Sequence, residues 1–290
     1  MRDYVIVTDV TSDLPVNILE TCDILALPME LTVGEQNYTH HADARNLSYH
    51  DFYQQLRAGN TAKTTQINYA TFMHYFEPIV QSGKDILYLG FSSGLSGTFQ
   101  TSLIAANELM ETYPGSTICC IDSLGASLGE GLFVYLAARK KAEGCSLSEL
   151  KEWALDTRLK ICHWFTVDDL NHLKRGGRIS AASAVLGSAL SIKPVLHVDN
   201  HGHLIPVSKV HGRKKSLKCL VEHMEKTITH PEEQTIFIGH GDCFHDAQMV
   251  KDLINEQFIV KDVIISDIGP VIGAHSGPGT VALFFVGDQR

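Results

Sequence analysis

The sequence lacks an excess of positive charge and an apolar run typical of a membrane helix. Its 24 lysines and arginines face 33 aspartates and glutamates, for a formal net charge of −9. Nucleic-acid surfaces need clustered cations, so no nucleic-acid partner is expected. The uncharged stretch Ile268 to Gly287 contains His275 and several glycines and prolines, which is not typical of a membrane helix. We therefore expect no stable membrane insertion.

Cysteine spacings typical of disulfide frameworks or metal sites are also absent. The seven cysteines are an odd number and include no Cys-x-x-Cys pair. Free cysteines are typical of a reducing cytosol. The apolar run that starts at Tyr4 is too short for the core of a signal peptide. The sequence therefore predicts a cytoplasmic protein.

Length and periodicity predict a fold of two α/β domains. A chain of 290 residues is long for a single core. In the first half, β-branched and aromatic runs alternate with helical patterns. The predicted strands are Tyr4 to Asp9, Ile24 to Met29, Ile86 to Phe91 and Thr117 to Asp122. Strands that alternate with helices favour a mainly parallel sheet with helices on both faces.

The second half has a different pattern. A predicted strand from Ile161 to Val167 leads into a basic turn, Lys174 to Arg178. Two more apolar runs flank Asp199 to Gly202, which indicates a hairpin, and an α/β alternation then returns. We place an N-terminal α/β domain at residues 1–160 and a C-terminal α/β domain at residues 161–290.

Hydroxyl side chains follow one predicted strand directly, in the segment Ser92 to Thr98. A strand–loop–helix junction presents free backbone N–H groups, which suit a carboxylate or a phosphate. Serine and threonine are also good helix caps, and the loop alone favours capping. A second pair of hydroxyls at Thr64 and Thr65, and a glycine-rich predicted loop around His275, offer further contacts to an anion.

Several segments together resemble the DegV family of bacterial fatty-acid-binding proteins. In chain order they are Ser92 to Thr98, IDSLGASLGEG from Ile121, FTVDDLNHLKRGGRIS from Phe165, SIKPVL from Ser191 and IGPVIGAHSGPG from Ile268. The resemblance implies two α/β domains with a lipid site at and below their interface. It also implies a non-catalytic carrier without a cofactor, which holds one long-chain fatty acid. A separate kinase would phosphorylate the carboxylate for phospholipid synthesis.

The resemblance further implies which residues hold the ligand. The carboxylate-binding groups would be Thr64, Thr65, Ser93, Gly94, Ser96 and His275. His211 stands where the family commonly has an arginine, so His211 or Arg213 would complete the set. The candidates for an acyl-chain tunnel in the second domain are Val185, Leu186, Leu190, Ile192, Val195 and Leu196. Each of these six is equally typical of an ordinary core position.

A serine hydrolase is the alternative function. Gly125 to Gly129 has the Gly-x-Ser-x-Gly pattern centred on Ser127, and Asp242 and His275 follow in the order that such enzymes use. An elbow serine follows its strand directly, whereas Ser127 lies several residues beyond Asp122. The pattern therefore favours this function less than lipid binding.

Two further patterns have weaker implications. Of the 15 histidines, five form two groups that match no zinc motif, so no metal is expected. His197, His201 and His203 lie near Asp199, and His240 and His245 lie near Asp242. The basic turn Lys174 to Arg178 is typical of a solvated loop. Its alternative role is to dock the kinase or the phosphates of the kinase's nucleotide.

Overall fold

The structure is a computed structural model and describes residues 2–180 and 191–290. Within these ranges the chain forms strands and helices that build three sheets. In chain order the elements are β1 (Tyr4–Asp9), α1 (Val16–Thr21), β2 (Ile24–Leu27), β3 (Met29–Val33), β4 (Gln36–His40), α2 (Tyr49–Arg57), β5 (Ala62–Thr64), α3 (Tyr69–Gln81), β6 (Asp85–Gly90), α4 (Thr98–Thr112), β7 (Ile118–Asp122), α5 (Leu128–Ala142), α6 (Leu147–Thr157), β8 (Ile161–Thr166), α7 (Asn171–Arg175), β9 (Ile192–Val198), β10 (Leu204–His211), α8 (Arg213–Thr227), β11 (Thr235–His240), α9 (Phe244–Gln257), β12 (Asp262–Asp267), α10 (Pro270–Ser276) and β13 (Val281–Val286).

The first sheet is parallel and four-stranded, in the order β2-β1-β6-β7, which confirms the predicted arrangement. Neighbouring residues of β1 and β6 face opposite sides, as the period of a strand requires. Ile6 and Leu87 pack with α1, α5 and α6, whereas Val7 and Ile86 pack with α3 and α4. Helices therefore cover both faces of this sheet.

The second sheet is mixed and six-stranded, in the order β10-β9-β8-β13-β11-β12. Only the β11–β12 pair is parallel among its described pairings, because β9 and β10 form the predicted hairpin and β13 runs against both neighbours. Helices α8 and α9 cover one face, and α5 packs on the other. The α/β fold class is confirmed.

A small antiparallel sheet, β4-β3-β5, was not predicted. Together with α2 it packs around Phe52 and Tyr53, which are fully buried. The predicted strand Ile24 to Met29 is therefore divided: β2 ends at Leu27, and Met29 begins a strand of this other sheet.

The segment around His275, which was predicted to be a loop, contains the short helix α10. Pro270 is the first helical residue, a position that proline suits. Gly273 allows close packing, because a Cβ there would lie 2.6 Å from the Tyr53 hydroxyl oxygen. The prediction was wrong because glycines that disfavour an isolated helix are needed here for contact with α2.

The strands of the two larger sheets divide close to residue 160, but the packing crosses that position. Helix α5 lies between the sheets and contacts strands of both. Helix α10, from the second half of the chain, contacts α2, β3 and β5 of the first half. Independent folding of residues 1–160 and 161–290 stays a prediction.

None of the helices in the described ranges combines the length and the apolar character that a membrane crossing requires.

Candidate functional site

A cavity of about 390 Å³ lies between the two larger sheets. Its volume falls in the range typical of small-molecule sites. One wall is a face of α10, formed by Val271, Ile272, His275 and Ser276 at helical spacing. Apolar side chains from both halves of the chain supply most of the remaining surface: Met29, Phe91, Leu95, Phe165, Leu173, Val198, Leu204, Ala282 and Phe284. The cavity therefore suits a largely apolar ligand.

His275 lies at one end of the cavity, near the C-terminal end of α10. Its Nε2 is 2.8 Å from the Thr64 hydroxyl oxygen, so a hydrogen bond joins the two halves of the chain. Its Nδ1 faces Gly176 closely, since a Cβ at that glycine would lie 2.2 Å away. Burial, with Arg178 nearby, lowers the pKa of His275 to about 4. The imidazole is therefore neutral at pH 7.

Arg178 supplies the positive charge at this end of the cavity. Its Nε donates to the Leu95 carbonyl at 3.0 Å, and a second nitrogen donates to the Gly176 carbonyl. Within residues 2–180 and 191–290, no carboxylate lies within ion-pair distance of it. Burial lowers its pKa from the ordinary value. An uncompensated guanidinium that faces a cavity is suited to an anionic ligand.

Four more polar side chains line the same end: Thr65, Gln66, Ser96 and Ser276. The Ser276 hydroxyl is buried and has no hydrogen-bond partner within the part of the chain that the structure describes. Buried hydroxyls normally have a partner, so Ser276 offers a free donor beside His275. We call this set, with Thr64, Arg178 and His275, the carboxylate end.

The sequence did not indicate Ser276 as a site residue. Arg178 was predicted to belong to a solvated turn. Lys174 and Arg175 are indeed exposed, but Arg178 turns back toward the cavity after Gly177, whose φ is +71°. Two consecutive glycines before an arginine permit such a reversal. The sequence Gly-Gly-Arg was therefore the one signal that could have indicated Arg178 as a cavity residue.

A second polar group lies at the opposite end of α10. The Ser127 hydroxyl lines the cavity and donates to Asp13 Oδ2 at 2.5 Å. Asp13 Oδ1 accepts from the Gly269 backbone N–H at 2.9 Å, so it fixes the start of α10. Burial raises the pKa of Asp13 to about 8. The backbone of Ser127 has φ 55° and ψ −148°, a conformation that is strained for any residue but glycine.

His163 lines the cavity close to Ser127. Its Nδ1 lies 2.9 Å from the Ile161 carbonyl and therefore carries the proton, which leaves Nε2 as an acceptor. The Ala126 backbone N–H approaches that Nε2 at 3.4 Å. Burial keeps the pKa of His163 well below its ordinary value, so the ring is neutral. We call Ser127, Asp13 and His163 the inner polar group.

The structure does not assemble the hydrolase triad that the sequence suggested. Ser127 bonds to Asp13, whereas His275 bonds to Thr64 at the other end of α10. Asp242 pairs with Arg57 and with His50 on α2. A catalytic serine needs an imidazole within hydrogen-bond reach, and the proposed partners lie elsewhere.

Ser93 and Gly94, which were predicted to bind the carboxylate, do not line the cavity. The Ser93 backbone N–H donates to Asp122, and Gly94 packs against the hairpin turn, where a Cβ would lie 2.7 Å from the His201 carbonyl oxygen. The loop turns between Gly94 and Ser96, so only its second part reaches the cavity. Thr64, Thr65, Ser96 and His275 do line it together.

His211 and Arg213 also lie off the cavity. His211 is exposed at the end of β10. Arg213 is held by Asp246 at 2.9 Å and donates to the Gly279 carbonyl at 2.6 Å. It therefore fixes the loop that follows α10, whereas Arg178 lines the cavity.

The predicted tunnel residues differ from the lining of the cavity. Ile192 is exposed, while Val195 and Leu196 are buried in the cores on opposite faces of the second sheet. Val185, Leu186 and Leu190 lie outside the described residues. Periodicity alone does not distinguish a core side chain from one that lines a cavity. No group of three or more histidines, cysteines and carboxylates in the described ranges is arranged to hold a metal ion.

Comparisons of the sequence and of the structure with known proteins lead to the same family. A family model described as "Uncharacterised protein, DegV family" matches residues 3–288. A DegV domain-containing protein of Clostridium perfringens is 47% identical over 290 residues, which cover 100% of this chain and 99% of the relative.

Two solved structures are similar over their full length. The fatty-acid-binding DegV family protein of Streptococcus agalactiae is 29% identical, with a TM-score of 0.87 and coverage of 100% of both chains. A DegV family protein of Thermus thermophilus, whose structure concerns fatty acid binding, is 27% identical with a TM-score of 0.88 and coverage of 99% and 100%.

Proposed function

The chain belongs to the DegV family, and we propose that it binds one long-chain fatty acid with the carboxylate beside Arg178 and His275. One observation carries the proposal: the cavity is apolar along most of its walls, and at one end lies Arg178, which has no carboxylate partner in the described ranges. An ionised fatty acid has the same distribution of charge. The fatty acids bound by the DegV family proteins of T. thermophilus and S. agalactiae support this ligand class.

The carboxylate end can satisfy an ionised carboxylate without a metal. A carboxylate only accepts hydrogen bonds, and its two oxygens offer about four acceptor positions. Arg178 brings charge and N–H donors, and Thr65, Ser96 and Ser276 bring hydroxyls. The neutral imidazole of His275 is oriented by Thr64 and adds a polar contact without further charge.

The apolar walls provide most of the affinity. Each methylene moved from water into the cavity contributes roughly 0.8 kcal/mol, so the tail outweighs any one polar contact. Ordering the chain and the loss of free motion reduce the net value. The polar end therefore sets the direction in which the acid lies, and the walls set how tightly it is held.

As a finer part of the same proposal, the chain is a cytoplasmic carrier that catalyses nothing alone. A separate kinase phosphorylates the held carboxylate, and the acyl-phosphate enters phospholipid synthesis. The exposed Lys174 and Arg175 stand three or four residues from Arg178 and give the partner a basic contact near the carboxylate end.

The test is denaturing mass spectrometry of lipid extracted from the purified protein. We expect a long-chain fatty acid at close to one mole per mole of protein, and none after delipidation. Delipidated protein should then take up an added long-chain acid with the same stoichiometry. Failure to retain or take up any such acid would refute the proposal.

The second stage adds a bacterial fatty acid kinase and ATP to the loaded protein. Formation of acyl-phosphate, trapped as the hydroxamate, is expected and should fall when Lys174 and Arg175 are both changed to Glu. Lipid retention should not change in that variant, because neither side chain lines the cavity. Lipid binding without any phosphorylation would support the proposed fatty-acid binding and contradict the proposed kinase partner.

A further inference from the structure

The cavity has a polar group at each end of α10, and the carboxylate of a fatty acid can use only one of them. His275 lies near the end of this helix, and Gly269, which Asp13 holds, precedes its first residue. Six residues of helix separate the two positions, or roughly 9 Å. Between them the α10 wall is apolar, with Val271 and Ile272. The inner polar group therefore faces the acyl chain well beyond the carboxylate.

Such a group is costly beside an unsubstituted hydrocarbon chain. Ser127 and His163 line the wall, and a purely apolar ligand would cover them without offering a hydrogen bond. Ser127 also keeps a strained backbone conformation to place its hydroxyl there. A cavity built only for saturated chains would gain from apolar side chains at both positions.

The hydrogen-bonding capacity that remains at the inner polar group defines what it can recognise. Burial raises the pKa of Asp13 to about 8, so its carboxyl is protonated at pH 7 and the Ser127 hydroxyl can either donate to it or accept from it. His163 Nε2 has one lone pair, and its donor within the described ranges is the Ala126 N–H at the long distance of 3.4 Å. A ligand hydroxyl can donate to His163 Nε2 in place of that long bond and can also pair with Ser127. A ketone oxygen only accepts, so it can pair with Ser127 alone.

We propose that the cavity selects fatty acids that carry a hydroxyl group in the middle of the chain, with Ser127 and His163 as the recognition residues. This inference rests on the proposed fatty-acid binding and narrows its substrate class. The apolar stretch between the two polar groups sets the position of the hydroxyl, since a hydroxyl a few carbons beyond the carboxylate would meet Val271 and Ile272 instead.

The test compares four acids of equal length in competition with a fluorescent fatty acid: stearic, 5-hydroxystearic, 10-hydroxystearic and 10-oxostearic acid. One neutral hydrogen bond predicts that 10-hydroxystearic acid binds about threefold to tenfold more tightly than stearic acid. The 5-hydroxy acid should show no such advantage, and the 10-oxo acid should show a smaller one. The first controls for position and the second for hydrogen-bond donation.

A variant tests whether Ser127 causes the preference for the hydroxylated acid. Ser127→Gly removes the hydroxyl and suits the backbone conformation, so the fold should persist. The ratio of the 10-hydroxystearic to the stearic affinity should fall to about one. Ser146→Ala, at the start of α6 and away from the cavity, is the matched control and should keep the wild-type ratio.

The outcomes separate the two proposals. Equal affinities for stearic and 10-hydroxystearic acid in the wild type would overturn the inference and leave fatty-acid binding intact. A preference that survives Ser127→Gly would overturn the role of Ser127. Binding of none of the four acids would remove the proposed function and the inference with it. The wild-type series decides the substrate class even if the variant does not fold.

Discussion

Polar side chains lie at both ends of α10, but they differ in whether they have hydrogen-bond and charge partners within the protein. At the carboxylate end, Arg178 has no carboxylate partner in the described ranges, and Ser276 has a free hydroxyl. At the inner end, Ser127, Asp13 and the Gly269 N–H satisfy one another, and His163 is held by Ile161. The carboxylate end therefore has unused capacity for a charged ligand group. At the inner end most of the hydrogen-bonding capacity is already used within the protein.

This difference shows how a single cavity can recognise two parts of one ligand, its carboxylate and a group on its acyl chain. A half-buried arginine without a carboxylate partner in the described ranges can still pair with the charge of a ligand, so it should dominate the direction of binding. A nearly satisfied group has a small remaining capacity, so it can discriminate between ligands without holding them. The direction and the selectivity of binding are therefore determined at different ends, while the apolar walls supply most of the affinity.

The largest expected effect is the loss of the cation at the carboxylate end. Arg178→Gln should weaken long-chain fatty acid binding by about tenfold to hundredfold, because hydrogen bonds between charged groups are worth about 1.5–3 kcal/mol. Arg175→Gln, in the same turn but exposed, is the control and should bind as the wild type does. Competition against a fluorescent fatty acid measures both. Equal affinities in the two variants would place the carboxylate elsewhere.

Added volume should affect the two ends differently. A Cβ on Gly129 would lie 2.1 Å from His163 Nε2, and that ring is buried. Gly129→Ala should lower the free energy of unfolding by about 1–2 kcal/mol, because overpacking outweighs the better helix propensity of alanine. Gly176→Ala should cost less, since the turn that carries it is partly exposed, yet should weaken fatty acid binding by displacing His275.

Urea unfolding of delipidated protein measures the first effect, and competition binding measures the second. An unchanged unfolding midpoint for Gly129→Ala would show that His163 can move. A loss of affinity in Gly176→Ala no greater than its loss of stability would mean that His275 is not fixed by the turn.

The two ends should also show opposed pH dependences of stability. His275 has a folded pKa of about 4 against an ordinary 6.5, so the folded state binds fewer protons and the stability that it contributes is lost as pH falls from 6.5 to 4. Asp13 has a folded pKa of about 8 against an ordinary 3.8, so the folded state binds more protons and its contribution is lost as pH rises from 4 to 8.

Single substitutions separate the two contributions. His275→Gln should flatten the loss of stability on the acid side, and Asp13→Asn should flatten the loss toward pH 8. Unfolding free energies of delipidated protein at intervals between pH 4 and 8 provide the measurement. Parallel pH profiles for the wild type and Asp13→Asn would show that Asp13 ionises normally.

The sequence predicted the parts of the fold that local patterns determine. The strand Tyr4–Asp9 has its predicted bounds, and the predicted hairpin β9–β10 also has a local cause. The small sheet and α10 were missed, because short elements depend on tertiary packing more than on propensity.

The site was predictable only in part. Thr64, Thr65, Ser96 and His275 are brought to one end of the cavity, and their contact with a ligand stays a prediction. Arg178 was missed because the direction of a side chain after a glycine turn depends on what packs around it. The Asp13–Ser127 pair joins positions 114 residues apart, which no local pattern encodes.

The crossing of α10 into the first half of the chain also determines when the site can form during synthesis. Thr64 and His275 are 211 residues apart, and Asp13 and Gly269 are 256 apart. Contacts of such separation require nearly the whole chain and form slowly, because long loops must close first. The parallel sheet of the first half can emerge from the ribosome and pair its strands long before α10 is made. A nascent chain is therefore expected to hold no fatty acid, and assembly of the cavity should coincide with the last step of folding.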